Sequence, residues 1–494
     1  MLFNSWAYAL FFPLVVVVYY LLPGGRGQQR WLLAASVFFY AWYKPGYLFV
    51  LLWLVGLDYC AGRLIEASRT PRARRGWLLL SLGANLGVLA GFKYYQLFVE
   101  SVTSLAELLG FHMTLPAVHW LLPLGLSFHT FQSLSYTMEV YFGRYPARRS
   151  VADVALYVFY FPQLLAGPIE RPQLLVPQLL EPHQLDYDNV SNGLKRMAWG
   201  LFKKVVVADR LYQLVFVPLE ADPRLSGLPL FMSLLLLNAQ LYCDFSGYTD
   251  LALGAAQVLG VRMSENFNQP FAATSVADFW RRWHMSLTRW FRRYLLPWLA
   301  GSRPSARRLR WSLLAVFGLS GLWHGARWTF VAWGLLHGVY VVVGTLTADA
   351  RARWAERLGL TRWPRLHHAQ QVASTVALVS FAWLFGMTPR WDWVGFRLSH
   401  FWPDFTAHLG AVVRNAHFDR QRLLYLGLPL GQFAGVLAGI LVVGVVERWQ
   451  PLTQMPALLR GQPWALRWSC YYGLILAIWF FGFYNSTPFV YIRY

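Results

Sequence analysis

Long apolar runs separated by short polar bursts dominate the chain, and a helical bilayer crossing needs about 20 apolar residues. The first run, residues 2–22, has no positive residue before it, no small-residue cleavage site, and Arg26 and Arg30 after it. That flank predicts a retained crossing with its N-terminus outside, not a cleaved signal peptide. Runs at 31–43 and 47–65 meet at Lys44-Pro45-Gly46, where the Pro-Gly pair predicts a turn. Arg69, Arg72, Arg74 and Arg75 then mark a cytoplasmic loop. The run 77–99 leads outward to a weakly charged segment at 107–119, and the run 121–141 returns to Arg144, Arg148 and Arg149.

The regular pattern ends there. Pro162, Gly167-Pro168 and Pro172 interrupt the run 151–166, and broken membrane helices line cavities. Lys195, Arg196, Lys203 and Lys204 lie around an amphipathic stretch, 193–217, expected to be an interfacial helix or a crossing with a basic cytoplasmic foot. Further crossings are expected at 230–242, 313–322, 328–346, 372–385, 423–446 and 468–483, with interfacial segments at 351–365 and 390–422. No internal repeat and no boundary of a soluble domain is visible. The expectation is a single membrane domain, with N-terminal helices in 1–150, a core in 151–350 and C-terminal helices in 351–494.

Composition sharpens this picture. Of 494 residues, 56% are hydrophobic and only 14% charged, against about a quarter charged in soluble globular domains. A water-soluble enzyme and a disordered chain are both excluded. Only Cys60, Cys243 and Cys470 are present, all in apolar stretches, which excludes a disulfide scaffold. The 44 Lys+Arg against 23 Asp+Glu leave a net charge of +21, which raises nucleic acid as a partner. That reading fails on placement, because the basic residues fall in bursts between apolar runs, as loops at an anionic cytoplasmic leaflet do.

Charge at membrane depth costs about 2.5 to 3.5 kcal/mol per residue and needs a reason. The stretch 241–298 stands out, holding Asp244, Asp250, Arg262, Glu265, Asn266, Asn268, Asp278, Arg281, Arg282, His284, Arg289, Arg292 and Arg293. In its second half Phe279, Trp283 and Leu287 recur at fourfold spacing, which predicts a helix carrying His284 among aromatics and opened by Asp278. A second polar point is His324, between glycines in Gly321-Leu322-Trp323-His324-Gly325. Those glycines allow close backbone approach. A histidine there titrates near neutrality and is able to take a hydroxyl proton and return it to a leaving group. His337, in the next crossing, is a third candidate, for which a hydrogen-bonded packing role is the simpler reading.

Other chemistries find no support. The chain has no Gly-x-Ser-x-Gly elbow, no P-loop, and no His-Glu-x-x-His or Cys-x-x-Cys metal site. His367-His368 is an adjacent pair in an Arg-rich loop and lacks metal-ligand spacing. No metal or bound cofactor is expected.

Six stretches together resemble one family. They are FPQLLAGPIERP at 161–172, YCDFSGYTDLALG at 242–254, ENFNQPF at 265–271, DFWRRWHMSLTRWFRRYL at 278–295, GLWHGARWTFVAWGLLHG at 321–338 and FVYIRY at 489–494. In this order they are similar to the membrane-bound O-acyltransferases, in particular the bacterial branch of alginate O-acetylation proteins and the related D-alanyl transfer proteins of teichoic acids. Arg293, Arg327 and Pro297-Trp298-Leu299-Ala300 depart from the family pattern, and bear on acceptor or partner specificity more than on chemistry.

The resemblance implies an all-α polytopic ring of about 11 to 13 membrane helices, with re-entrant and interfacial helices, around a central tunnel. It places the two family histidines at His324 and His284. His324 is expected to be the general base. His284 is expected to polarise the thioester carbonyl or to form the second half of a proton relay. Arg281, Arg282, Trp283, Trp323, Asp244 and Asn266 are the substrate-binding candidates, and the Arg281-Arg282 and Arg292-Arg293 pairs suit donor phosphates. The implied activity is O-acetyl transfer from a cytoplasmic donor, acetyl-CoA, across the bacterial inner membrane to an exported polysaccharide such as alginate. A periplasmic or membrane-anchored acetyltransferase is the expected partner. Two other readings stand beside it: D-alanyl or other acyl transfer to a wall polymer, and a transporter whose intramembrane charges line a path.

Overall fold

The structure, a computed structural model, describes residues 1–42, 44–113, 115–116, 123, 125–165, 167–414, 420–424, 426–449, 459 and 461–484. The terminal motif at 489–494, part of the segment 107–119 and the start of the run 121–141 lie outside the described residues. The described residues are 79% helical and contain no strand. Among them six helices are long and apolar enough to cross a membrane: Gly46–Ala67, Pro71–Lys93, Gly227–Val258, Trp328–Leu346, Pro364–Met387 and Leu430–Arg448. The protein is a multi-pass, all-helical membrane protein, as its apolar runs predict.

The residues group into two compact units, Met1–Gly200 with Tyr248–Ser264, and Leu201–Gly247 with Glu265–Val490. In the first unit, local chemistry sets several helix starts. Ser5 and Thr70 each accept a backbone N–H from three residues ahead, capping Trp6–Leu21 and Pro71–Lys93. The second of these helices begins inside the arginine burst and ends at Lys93, and a new helix, Tyr95–Leu108, follows. The crossing expected at 77–99 is therefore the helix Pro71–Lys93, and the last residues of the run belong to a separate helix. Asp58, fully buried in Gly46–Ala67, joins three helices: it accepts from Ser81 Oγ at 2.5 Å and Asn85 Nδ2 at 2.9 Å on Pro71–Lys93, and from Ser133 Oγ on Leu126–Tyr141. Buried polar networks of this kind fix helix register.

The expected crossing at 230–242 is a helix of 32 residues, Gly227–Val258. The two acids that interrupt its hydropathy are each paired within their own unit. Lys204 Nζ lies 2.7 Å from both Asp244 and Asp209 in the second unit, and Arg196 lies 3.0 Å from Asp250 in the first. Buried, paired charge does not end a helix. The stretch 193–217 also differs from expectation. Helix Tyr187–Leu201 runs into π-helical turns at Phe202–Ala208 and Tyr212–Phe216. Lys203 and Lys204 are buried there and form no exposed basic foot, Lys203 meeting Glu447 at 3.2 Å.

Candidate active site

The site belongs to the second unit and is built around a broken helix. Ser275 caps helix Val276–Arg282, its Oγ accepting the Asp278 N–H at 3.1 Å. Asp278 in turn accepts from Arg281 Nη2 at 3.1 Å and Arg282 Nε at 2.9 Å. At Trp283 the backbone becomes extended, and His284 takes the left-handed conformation, φ 43° and ψ 53°, before helix Met285–Trp290 starts. The fourfold spacing of Phe279, Trp283 and Leu287 predicts one continuous helix, and the structure corrects it. The peptide groups freed by the break are satisfied by a neighbouring segment. Asn268 N–H donates to the Arg282 carbonyl at 2.9 Å, and Met285 N–H donates to the Asn266 carbonyl at 2.9 Å. Periodicity does not register such a partner.

Asn266 also sets the proton position on His284. The Ser286 backbone N–H, which only donates, reaches one side-chain atom of Asn266 at 3.1 Å, so that atom is the oxygen. His284 Nδ1 lies 3.2 Å from the same oxygen and so carries the proton, leaving the basic lone pair on Nε2. His284 is fully buried, and burial pushes its imidazole well below the ordinary pKa, which keeps it neutral. Phe245 meets the ring edge-on at 4.7 Å.

His324 is buried and is the last residue of helix Ala306–His324. The helix packs against Trp328–Leu346 through glycines: a Cβ on Gly321 would run into the Phe330 carbonyl, and one on Gly334 into the Phe317 carbonyl. Trp333, from the second helix, lies 5.1 Å from the His324 ring. Trp323 links the two histidines, its ring centred 4.8 Å from His324 and 6.1 Å from His284.

The structure thus brings together His284, His324, Trp323 and Asn266. Trp283 stacks on Phe279 at 5.5 Å in an adjoining aromatic cluster with Phe267 and Phe271. Asp244 is held by Lys204, and Arg281 and Arg282 both lean on Asp278, with the Arg281 side chain 65% exposed. Sequence reasoning missed Trp333, Ser286 and Phe245, although Trp333 lies inside the stretch 321–338 that carries His324.

Two imidazoles thus lie against one indole, walled by aromatics, inside a multi-pass helical membrane protein. The chain belongs to the membrane-bound O-acyltransferase family, whose profile matches residues 92–388, and it is an acyltransferase. It is 40% identical over 337 residues to a probable alginate O-acetylase of Azotobacter vinelandii, covering 68% of this chain and 66% of that protein. The corresponding protein of Pseudomonas putida is 37% identical over 378 residues, covering 76% and 74%. A peptidoglycan O-acetyltransferase of Helicobacter pylori is 33% identical over 374 residues, covering 69% and 70%.

Proposed function

We propose that this protein transfers acetyl from cytoplasmic acetyl-CoA across the bacterial inner membrane for O-acetylation of an exported polysaccharide of the alginate type. The relatives support a polysaccharide acceptor, since those named act on alginate or peptidoglycan. The observation that carries the reading is the pair of histidines on Trp323.

In the proposed reaction His324 takes the proton of an acceptor hydroxyl as the oxygen attacks the thioester carbonyl. The new C–O bond forms, the C–S bond breaks, and the departing thiolate receives the proton from the imidazolium. Of the two roles expected for His284, the relay suits its tautomer, because the lone pair on Nε2 accepts a proton and a carbonyl polariser would have to donate one. A partner acetyltransferase outside the membrane completes transfer to the polymer.

The test is polymer acetyl content in cells carrying His324→Ala at unchanged membrane abundance. Acetylation should be abolished. Retained acetylation refutes the reading. Loss of acetylation that tracks a charged carrier protein, with no turnover of acetyl-CoA, assigns a different donor.

A further inference from the structure

Helix Leu430–Trp449 lies beyond the residues matched by the family profile, yet its Glu447 reaches the stretch that serves His284. Glu447 is buried, with Oε1 3.2 Å from Lys203 Nζ and Oε2 accepting the Tyr242 O–H. Its backbone carbonyl accepts Gln269 Nε2–H. One residue therefore ties the π-helical turn Phe202–Ala208, the helix Gly227–Val258 and the stretch 265–271 together within the second unit.

Both the tyrosine and the glutamine lead to the histidine. Tyr242 meets Phe267 edge-on at 5.6 Å and Phe271 at 5.7 Å. One turn further along the same helix, Phe245 meets Phe267 at 5.0 Å and the His284 ring at 4.7 Å. Phe267 thus packs on Tyr242 and Phe245 at once, and its neighbour in sequence is Asn266, whose oxygen faces His284 Nδ1. Gln269 takes the left-handed conformation, φ 47° and ψ 58°, which a residue with a Cβ keeps only where its surroundings hold it. The Glu447 carbonyl supplies that hold. Asn266 and Asn268 grip the broken helix at one end of the stretch, and Gln269 and Phe271 grip Glu447 and Tyr242 at the other.

The charge on Glu447 also needs a reason at the end of a membrane crossing. A buried ion pair gains little stability over apolar residues of similar volume, so folding alone does not call for Lys203 and Glu447. A tyrosine ring packed among aromatics does call for an acceptor at its hydroxyl, and a carboxylate is a strong one.

We propose, on the basis of the histidine chemistry above, that Glu447 is a positioning residue for acyl transfer. By holding Tyr242 and Gln269 it seats the stretch 265–271, and through Asn266 it keeps His284 in its working orientation. The test compares two double variants of the full chain purified in detergent: Lys203→Met with Glu447→Gln, and Lys203→Met with Glu447→Leu. Both remove the two charges together, and only the first keeps an acceptor for the Tyr242 O–H. Thiol release from acetyl-CoA gives kcat and KM, and amide exchange of peptides covering 265–286 reads the seating of the stretch without turnover. In the leucine pair kcat should fall about 10-fold at unchanged KM, about the worth of one hydrogen bond, and exchange should quicken. The glutamine pair should keep most of the turnover and the slow exchange. If the leucine pair fails to fold, Tyr242→Phe, which leaves Lys203 and Glu447 together, should show the same fall in kcat. Equal kcat in the two pairs, or equal exchange over 265–271, overturns the proposal. A wild type that releases no thiol from acetyl-CoA refutes the donor reading instead, and exchange then decides the role of Glu447.

Discussion

The Trp280 indole N–H donates to Nδ1 of His337 at 3.3 Å, and since an indole nitrogen only donates, His337 holds its own proton on Nε2. The tautomer is the reverse of that at His284. Trp333 lies 5.0 Å from His337 and 5.1 Å from His324, so a chain of rings runs from the helix preceding His284 to His324. The simpler reading of His337 as a packing residue with a hydrogen bond is the one this geometry supports.

His337→Phe keeps a ring and removes the acceptor. Its turnover of acetyl donor should fall about 10-fold, equivalent to about 1.4 kcal/mol. His337→Asn, which keeps an acceptor near Nδ1, should recover most of that loss. Combining Trp280→Phe with His337→Phe should cost less than the sum of the single changes, because no buried donor is stranded. Equal loss in the Asn and Phe variants would dismiss the hydrogen bond as the cause.

Asn266→Asp retains an oxygen facing His284 Nδ1 and Ser286 N–H, whereas Asn266→Leu removes it. Turnover should survive in the aspartate variant within about 10-fold. It should drop by about 10² to 10⁴ in the leucine variant, the range of a general-base contribution. Wild-type turnover in the leucine variant would sink the tautomer argument.

Lys204→Met leaves Asp209 and Asp244 buried around an apolar side chain. Breaking such a group costs about 3 to 5 kcal/mol, read as a lower melting temperature in detergent. Adding Asp244→Asn should restore part of it. No change on losing the lysine would show that the acids are paired in another way.

Gly321→Ala should destabilise by about 1 to 3 kcal/mol, because the Phe330 carbonyl occupies the space of the new methyl. Turnover should fall with it as His324 and Trp333 separate. Gly344→Ala, also in Trp328–Leu346, meets nothing within 4 Å and should be neutral or slightly stabilising. Matching melting curves for the two variants would refute close glycine packing.

How much of this was legible in the sequence follows from the forces involved. Apolar runs report burial in lipid, so Trp328–Leu346 was readable to the residue. Gly227–Val258 was not, because hydropathy counts Asp244 and Asp250 as breaks and cannot see Lys204 or Arg196 beside them. His284 and His324 were legible as polar residues in apolar surroundings. Their sharing of Trp323 was not, and neither was the left-handed turn at His284, which depends on Asn266 eighteen residues away.

The glycine contact between Ala306–His324 and Trp328–Leu346 has a consequence for the bilayer. A single helix adjusts to thin or thick lipid by tilting. Here the backbones touch at Gly321 and Gly334, so the two helices tilt together as one stiff rod and His324 keeps its distance from Trp333. The enzyme should therefore work at nearly constant rate across vesicles of different acyl-chain length, its chemistry insulated from hydrophobic mismatch by two missing methyl groups.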